Sequence, residues 1–182
     1  MYAKYVANKA HDAIKFLKHN LPQKLLKDCV QRLNATEGFI FTDNKINSYP
    51  ENSGAKDDLV GIFNELKGTI YIQHNDFGLM NKITSATNDY TVLVHEVGHA
   101  FDKLLFNKAS STPKFRTIYE KEKDNLTEAV TPNGYGKQSS HEFFAEVFKA
   151  MYSTDLKQKE AVEREAPEAV QYIKNKINSY IS

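Results

Sequence analysis

Two imidazoles and one carboxylate stand close together in the segment VHEVGHA, at residues 94–100. On a helix, His95 and His99 lie one turn apart on the same face, so both rings can reach one zinc ion. Glu96, on the adjacent flank, can hold and deprotonate the water that such an ion activates. The pattern predicts the metal-binding helix of a peptidase. The alternative is an ordinary amphipathic helix with two surface histidines, because three specified positions also occur by chance.

A third metal ligand is offered by the segment SSHEFFAEVF, at residues 139–148. Catalytic zinc needs three protein ligands and an open position, and two histidines with one glutamate are an established set. Glu142 lies 43 residues after His99 (142 − 99), so a second helix can return antiparallel beside the first. Spacing favours Glu142 over its neighbours His141 and Glu146 as the third ligand.

Two further carboxylates could support a ligand histidine. Glu146, one turn after Glu142, or Asp102 could accept a hydrogen bond from the back nitrogen of the ring and fix its tautomer. An alternative for Glu142 remains open, because Ser139 and Glu142 have the spacing of a capping box, in which the glutamate satisfies an orphan backbone N–H. Glu146 would then be an ordinary surface charge on the helix.

Composition limits the function classes. A chain of 182 residues fits one domain over residues 1–182, with a core that needs no structural zinc. Lys and Arg total 24 against 23 Asp and Glu, so the net charge of +1 gives no sign of a nucleic acid partner. The single cysteine, Cys29, cannot form an internal disulfide and is predicted to be a buried, inert thiol.

The chain contains no run of about 18 apolar residues, so no membrane span is predicted. Its first residues lack the apolar core of a secretory signal peptide. Two explanations stay open at this point. Either the protein is cytosolic, or a leader or upstream domains have been removed.

Upstream of the histidine motif, apolar periodicity predicts several local elements. A helical hairpin is predicted from helices over residues 5–17 and 22–33. A strand over 38–42 and a loop over 48–56 should follow. Residues 57–66 then show helical spacing and precede Gly68, which is a good helix terminator. The sequence therefore predicts a third helix over 57–66.

A second strand is predicted at residues 69–73, with the sequence TIYIQ. An edge strand shortly before the metal helix could hold an extended peptide substrate by strand addition. The alternative is an internal strand with both edges paired. His74 follows as a cleft residue or a loop histidine. Residues 75–87 are predicted to form a loop that ends at an Asn88 or Asp89 N-cap.

Further helices are predicted over residues 89–106 and 114–123, with a mobile, Gly-containing loop at 131–136. Gly98 lowers the stability of its helix by roughly 1 kcal/mol relative to Ala. A small residue between the two histidines is expected where another backbone packs closely. No internal repeat or linker interrupts the chain, which favours one compact domain.

These motifs resemble the lethal-factor-like peptidases, which include the catalytic domain of anthrax lethal factor and the secreted clostridial Pro-Pro endopeptidases. The similarity is carried by HEVGHAFD at 95–102, Tyr135-Gly136, EFFAEVF at 142–148, STD at 153–155 and the helical run after Pro167. Weaker similarity extends upstream through residues 39–43 to the N-terminal helices. The resemblance implies an α+β, mainly helical zincin-like fold with a small β-sheet. It also implies a zinc site between the HExxH helix and a following helix that carries a glutamate.

The resemblance further implies a role for each matching residue. His95, His99 and Glu142 become the ligands of one Zn²⁺, as in gluzincins, and Glu96 the general base. Tyr135 becomes a hydrogen-bond donor to the oxyanion of the tetrahedral intermediate, seven residues before Glu142 (142 − 135). The alternative for Tyr135 is a loop tyrosine packed on a helix.

As a function, the resemblance implies a secreted or toxin-associated zinc endopeptidase that binds a protein substrate in extended form. The substrate would be a host signalling protein or, for a Pro-Pro endopeptidase, a proline-rich surface protein of the producing bacterium. Pro-Pro endopeptidases use a tryptophan near the substrate groove, and this chain has no Trp. A third alternative is a non-catalytic module that binds a toxin-translocation partner. The complete set of predicted site residues favours an enzyme.

Overall fold

A computed structural model describes residues 2–73 and 90–182, with side chains from residue 10 onwards. The predictions for His74, the 75–87 loop and the Asn88 or Asp89 N-cap lie outside the described residues. The chain divides into two compact units, Met1–Glu96 and Val97–Ser182. A single domain over residues 1–182 stays a prediction.

The first unit begins with the predicted helical hairpin, formed by α1 (Tyr2–Asn20) and α2 (Gln23–Arg32). Apolar residues at helical spacing bury one face of each helix, and Leu17 and Leu25 are fully buried. Cys29 lies on the buried face of α2, and burial raises the pKa of its thiol to about 12. The thiol is therefore protonated at neutral pH.

The sheet of the first unit has three strands, β1 (Phe39–Thr42), β2 (Gly61–Asn64) and β3 (Thr69–Gln73). Their order is β1-β3-β2, with β1 parallel and β2 antiparallel to β3. β3 is thus central, and all five of its residues are buried. Of the two interpretations of this strand, the internal strand is confirmed and the edge strand for substrate is wrong, because both edges of β3 are already paired. In the described part of the chain, β1 and β2 form the edges.

The helix predicted over residues 57–66 is also wrong, because this stretch contains β2 and the turn into β3. Gly68 has a φ of +63° and lies in the turn of a hairpin rather than at a helix terminus. Leu66, counted as part of an apolar helix face, is 99% exposed in that turn. Pairing with β3 supplies backbone hydrogen-bond partners that helical spacing does not reveal.

The helix of the histidine motif is α3 (Thr91–Leu104), which runs through the division between the two units. Directly before it, Tyr90 packs its ring on Phe16 of α1, with 5.2 Å between ring centroids. The remaining helices are α4 (Pro113–Glu122), α5 (Ser140–Met151), α6 (Leu156–Glu165) and α7 (Pro167–Ile181). α4, α5 and α7 confirm the helices predicted over 114–123, from Ser139 and after Pro167, whereas α6 was not predicted. Among the described helices, none is long and apolar enough to cross a membrane.

The core of the second unit surrounds α5. Phe143, Phe144 and Phe148 of this helix are fully buried. Phe148 contacts Phe101 of α3, and Phe144 contacts Phe115 of α4, each pair edge to face with 5.4 Å between centroids. Aromatic contacts on both sides hold α5 against its neighbours, and the first turn of this helix carries Glu142.

A buried carboxylate joins two other helices of this unit. Glu122, at the end of α4, accepts hydrogen bonds from the backbone N–H groups of Glu168 (2.9 Å) and Ala169 (3.0 Å). These are orphan donors in the first turn of α7, where a negative charge is also favoured by the helix dipole. This contact caps α7 from a residue more than 40 positions away.

Candidate metal centre and active site

Three of the predicted site residues converge. His95, His99 and Glu142 each offer a ligand atom, and these atoms lie within 4.8 Å of one another. His99 Nε2 is 3.2 Å from Glu142 Oε2. Ligand atoms about 2.1 Å from a tetrahedral zinc lie roughly 3.4 Å apart, so this separation fits two atoms that share one ion. The donor set, two imidazoles and one carboxylate, is one that catalytic zinc uses.

Burial differs within this group. His95 is buried, whereas the side chains of His99 and Glu142 stay 17% and 23% exposed. The buried ring is held by its surroundings, and the other two side chains leave the group partly open to solvent. A catalytic zinc site needs such an opening for water or substrate in the fourth position.

The close approach of α3 and α5 depends on Gly98. A Cβ added at Gly98 would lie 3.1 Å from Phe148 Cδ1 and 3.4 Å from Ala145 Cα. The expectation that a small residue here allows close packing is confirmed. Because Gly98 and Ala145 bring the two helices together, His99, next to Gly98, can meet Glu142, which lies one turn before Ala145.

The predicted general base, Glu96, is buried against the first residue of β2. A Cβ at Gly61 would lie 2.9 Å from Glu96 Oε1 and 2.5 Å from Val92 Cγ1, so only glycine fits. One end of an edge strand therefore touches the carboxylate that follows His95. Sequence reasoning missed Gly61, because it lay inside the predicted helix over 57–66.

Tyr135 lies in a 3-10 turn, Pro132–Lys137, and its side chain is 37% exposed. Two residues of the turn, Asn133 and Gly134, have left-handed φ angles of 57° and 66° and bend the chain. The backbone N–H of Asn133 donates to Glu128 Oε2 at 2.8 Å. The side chain of Glu128, outside the turn, thus holds its backbone, while Tyr135 keeps access to solvent.

Contacts on both sides of Tyr135 attach this turn to the helices. The N–H of Gly136 donates to Thr131 Oγ1 at 2.6 Å, and the hydroxyl of Tyr119 on α4 donates to the carbonyl of Lys137 at 2.7 Å. A Cβ at Gly136 would lie 3.2 Å from the Cβ and Cγ atoms of Glu146 on α5. Gly136 thereby lets the turn pack directly on the helix that carries Glu142.

Comparison with known proteins assigns the chain to a protein family. Residues 3–176 match the sequence model of the family described as anthrax toxin lethal factor, N- and C-terminal domain. The chain belongs to the lethal factor family. Lethal factor of Bacillus anthracis is 28% identical over 193 residues, an alignment that covers all of this chain and 23% of lethal factor. The chain thus spans about a quarter of the length of that relative.

The fold has a counterpart among solved structures. The Pro-Pro endopeptidase from Paenibacillus alvei superposes with a TM-score of 0.65 at 19% identity, covering 93% of this chain and 91% of that one. Together with the three-stranded sheet and the helices described above, this similarity confirms the α+β, mainly helical zincin-like fold. The predicted lethal-factor resemblance is likewise confirmed.

In this member of the lethal factor family, Glu146 is paired with a lysine. Both of its carboxylate oxygens accept hydrogen bonds from Lys149 Nζ, at 2.7 and 2.8 Å, and both side chains are buried. Glu146 is therefore not the surface charge of the alternative interpretation. Its role in orienting a ligand histidine stays a prediction.

Asp102, the other predicted partner of a ligand histidine, is buried and binds Ser110. Its Oδ1 accepts the Ser110 backbone N–H at 2.8 Å, and its Oδ2 accepts the Ser110 hydroxyl. The same hydroxyl lies 2.6 Å from Nδ1 of His141, the residue considered as an alternative ligand. Burial, and to a lesser degree the positive charge of Lys103, lowers the pKa of His141. The role of Asp102 toward a ligand histidine stays a prediction.

The first turn of α5 combines a cap with the candidate ligand. Ser139 Oγ accepts a hydrogen bond from the backbone N–H of Glu142 at 3.2 Å, as in a capping box. The Glu142 carboxylate lies beside His99. The backbone of Glu142 thus satisfies the cap, while its side chain joins the group of converging ligands.

Proposed function

We propose that the chain is a zinc-dependent endopeptidase that hydrolyses peptide bonds in a protein substrate. The proposal rests above all on the convergence of His95, His99 and Glu142 in a member of the lethal factor family. Glu96, the residue after His95, adds the carboxylate that zinc peptidases use as a base. A non-catalytic partner-binding module would not need these side chains to lie close together.

In the proposed centre, His95, His99 and Glu142 hold one Zn²⁺. When bound, zinc acts as a Lewis acid that polarises the scissile carbonyl and makes water a stronger nucleophile. Glu96 takes the proton of the attacking water and delivers it to the leaving amine. Gly61 supports this role, since its backbone packs against Oε1 of Glu96 and limits where the carboxylate can lie.

Tyr135 donates a hydrogen bond to the oxyanion in this mechanism. Its hydroxyl stabilises the transition state most if it is already in position, because a preorganised donor needs no rearrangement as the negative charge develops. The contacts of Gly136 with Thr131 and of Tyr119 with Lys137 support such preorganisation. The exposure of Tyr135 leaves its side chain accessible to a substrate.

The substrate binds in extended form along β2. Strand addition needs an unpaired strand edge, and β3 has none, whereas β2 is an edge strand of the described sheet. β2 begins at Gly61, which touches Glu96. A peptide paired with β2 would therefore run toward the carboxylate that activates the water.

The most favoured role is that of a secreted or toxin-associated protease, as the match to lethal factor suggests. A Pro-Pro endopeptidase acting on bacterial surface proteins is the second candidate, supported by the structural similarity over 93% of the chain. The absence of tryptophan argues against it. If the protein has the toxin-associated role that the match to lethal factor suggests, it would also bind a partner that translocates the toxin.

The deciding experiment combines metal analysis with cleavage. Purified protein should contain one zinc per chain and cleave members of a peptide library, and a chelator should abolish cleavage until zinc is restored. Mass spectrometry of the products would separate proline-directed cleavage from cleavage at other sequences. Glu96→Gln should abolish cleavage and retain zinc, whereas Glu160→Gln on the exposed face of α6 should change neither. Wild-type protein without stoichiometric zinc would refute the proposal.

A further inference from the structure

A chain of polar groups, buried at Asp102 and Ser110 and half-buried at His141, joins the two helices that carry the candidate ligands. Asp102 stands three residues after His99 on α3, and His141 directly precedes Glu142 on α5. Ser110 lies between them and contacts Asp102 through both its backbone N–H and its hydroxyl. Its Oγ is 2.6 Å from His141 Nδ1. Asp102 and Ser110 are at most 1% exposed, so water does not compete for the contacts between these two residues.

Donor and acceptor counting assigns the protons in this chain of groups. A carboxylate only accepts, so the single hydroxyl proton of Ser110 points to Asp102 Oδ2. The lone pairs of Ser110 Oγ then face His141, and Nδ1 of that ring must be the donor. His141 is thereby held with its proton on Nδ1 and its ring in a fixed orientation.

The backbone after α3 is bent so that Ser110 can reach Asp102. Asn107 and Lys108 both have left-handed φ angles, 52° and 57°, which are unfavourable for residues with a Cβ. The N–H of Lys108 donates to the backbone carbonyl of Asp102 at 2.8 Å. Such a strained bend persists only where the surrounding contacts hold it, and the two hydrogen bonds from Ser110 to Asp102 do so.

We propose that Ser110 and His141 are positioning residues that hold Glu142 in place for zinc by tying the first turn of α5 to α3 through Asp102. This inference rests on the proposed zinc site. Neither residue touches the substrate, and both act through Glu142. Losing the link lets the first turn of α5 move relative to His99, so the third ligand is less well preorganised. Removing a direct hydrogen-bond partner of a metal ligand typically weakens metal binding about 10- to 100-fold, and we expect this indirect link to act at the lower end of that range.

A pair of isosteric variants tests the role of His141. The side-chain amide of asparagine places an N–H near the position of Nδ1, whereas that of glutamine places it near Nε2. His141→Asn should therefore keep zinc affinity within about threefold of the wild type, and His141→Gln and Ser110→Ala should each weaken it about tenfold or more. Zinc affinity is measured by competition with a chromophoric chelator. Equal affinities for the two His141 variants would overturn the proposal.

Ser111 provides the matched control, because its hydroxyl is 3.5 Å from His141 Nε2, at the limit of a hydrogen bond. Ser111→Ala should keep zinc affinity within about twofold. An effect of Ser111→Ala as large as that of Ser110→Ala would also overturn the proposal. If the Ser110→Ala variant does not fold, the comparison of His141→Asn with His141→Gln still tests the proposal.

A spectroscopic measurement on the metal-free protein separates this inference from the proposed function. Nitrogen-15 NMR of histidine-labelled apoprotein should show His141 as the Nδ1–H tautomer, whereas an Nε2–H tautomer would overturn the proposal. Failure of the wild type to bind zinc would refute the proposed function and with it the positioning role. If such a protein still showed the Nδ1–H signature, the hydrogen bonds that link Asp102, Ser110 and His141 would be supported, and only the metal assignment would be refuted.

Discussion

His99 Nε2 lies 3.2 Å from Glu142 Oε2, although the two residues are 43 positions apart in the chain. Their contact follows from the packing of α3 on α5 at Gly98, where a side chain would meet Ala145 and Phe148. The pair thus depends on a glycine that weakens its own helix. The candidate metal centre therefore requires the close packing of α3 on α5 as well as the ligand residues themselves.

Gly98→Ala should weaken zinc binding with little change in stability. Alanine favours the helix by roughly 1 kcal/mol, which offsets part of the strain of a methyl group 3.1 Å from Phe148. Gly98→Val should lower the free energy of unfolding by about 1–3 kcal/mol through overpacking. Urea unfolding and chelator competition measure the two effects. Gly54→Ala is the control, since a Cβ there meets nothing within 4 Å. Unchanged zinc affinity in both Gly98 variants would contradict this account.

Gly61→Ala should separate catalysis from metal binding. The new methyl would come within 2.9 Å of Glu96 Oε1, so the carboxylate must shift. A displacement of about 1 Å in a catalytic group can lower the rate about 10²-fold. We expect kcat to fall by that order while zinc content stays at one per chain. Activity equal to that of Gly54→Ala would show that Glu96 does not depend on this contact.

Tyr135→Phe should lower kcat about 10²- to 10³-fold, the typical effect of removing one oxyanion donor. KM and zinc content should not change, because the hydroxyl acts on the transition state. Stability should also be retained, since the side chain is 37% exposed. Steady-state kinetics with a mapped peptide substrate gives the comparison. Tyr152→Phe, at the end of α5, serves as the control. A loss confined to KM would instead assign Tyr135 to substrate binding.

Cys29 should make stability fall with rising pH in the alkaline range. Burial raises the pKa of its thiol from 9.0 to about 12. Between these values the unfolded chain has lost the proton that the folded chain keeps, so stability present below pH 9 decreases as the pH rises toward 12. The slope from this one group is at most about 1.4 kcal/mol per pH unit. Urea unfolding at several pH values would show a smaller slope for Cys29→Ala. Rapid alkylation of the folded protein at pH 8 would contradict the burial.

Local patterns in the sequence predicted most of the helices and the residue types of the centre. Apolar spacing located α1, α2, α3, α4 and α5, because a helix repeats its buried face every three or four residues. The spacing of His95 and His99 needs only one helix turn. Spacing favoured Glu142 over its neighbours, and two histidines with one glutamate are an established ligand set of catalytic zinc.

Only the tertiary structure decided which strand is central and what surrounds the site. Residues 57–66 fit a helix locally, but backbone pairing with β3 made part of them a strand and left Leu66 in an exposed turn. The contact of Gly61 with Glu96 and the link from Asp102 to His141 join different elements. Sequence spacing reports the periodicity of a single element. Hydrogen bonds and close contacts between elements depend on how those elements pack, and packing brings together residues far apart in the chain.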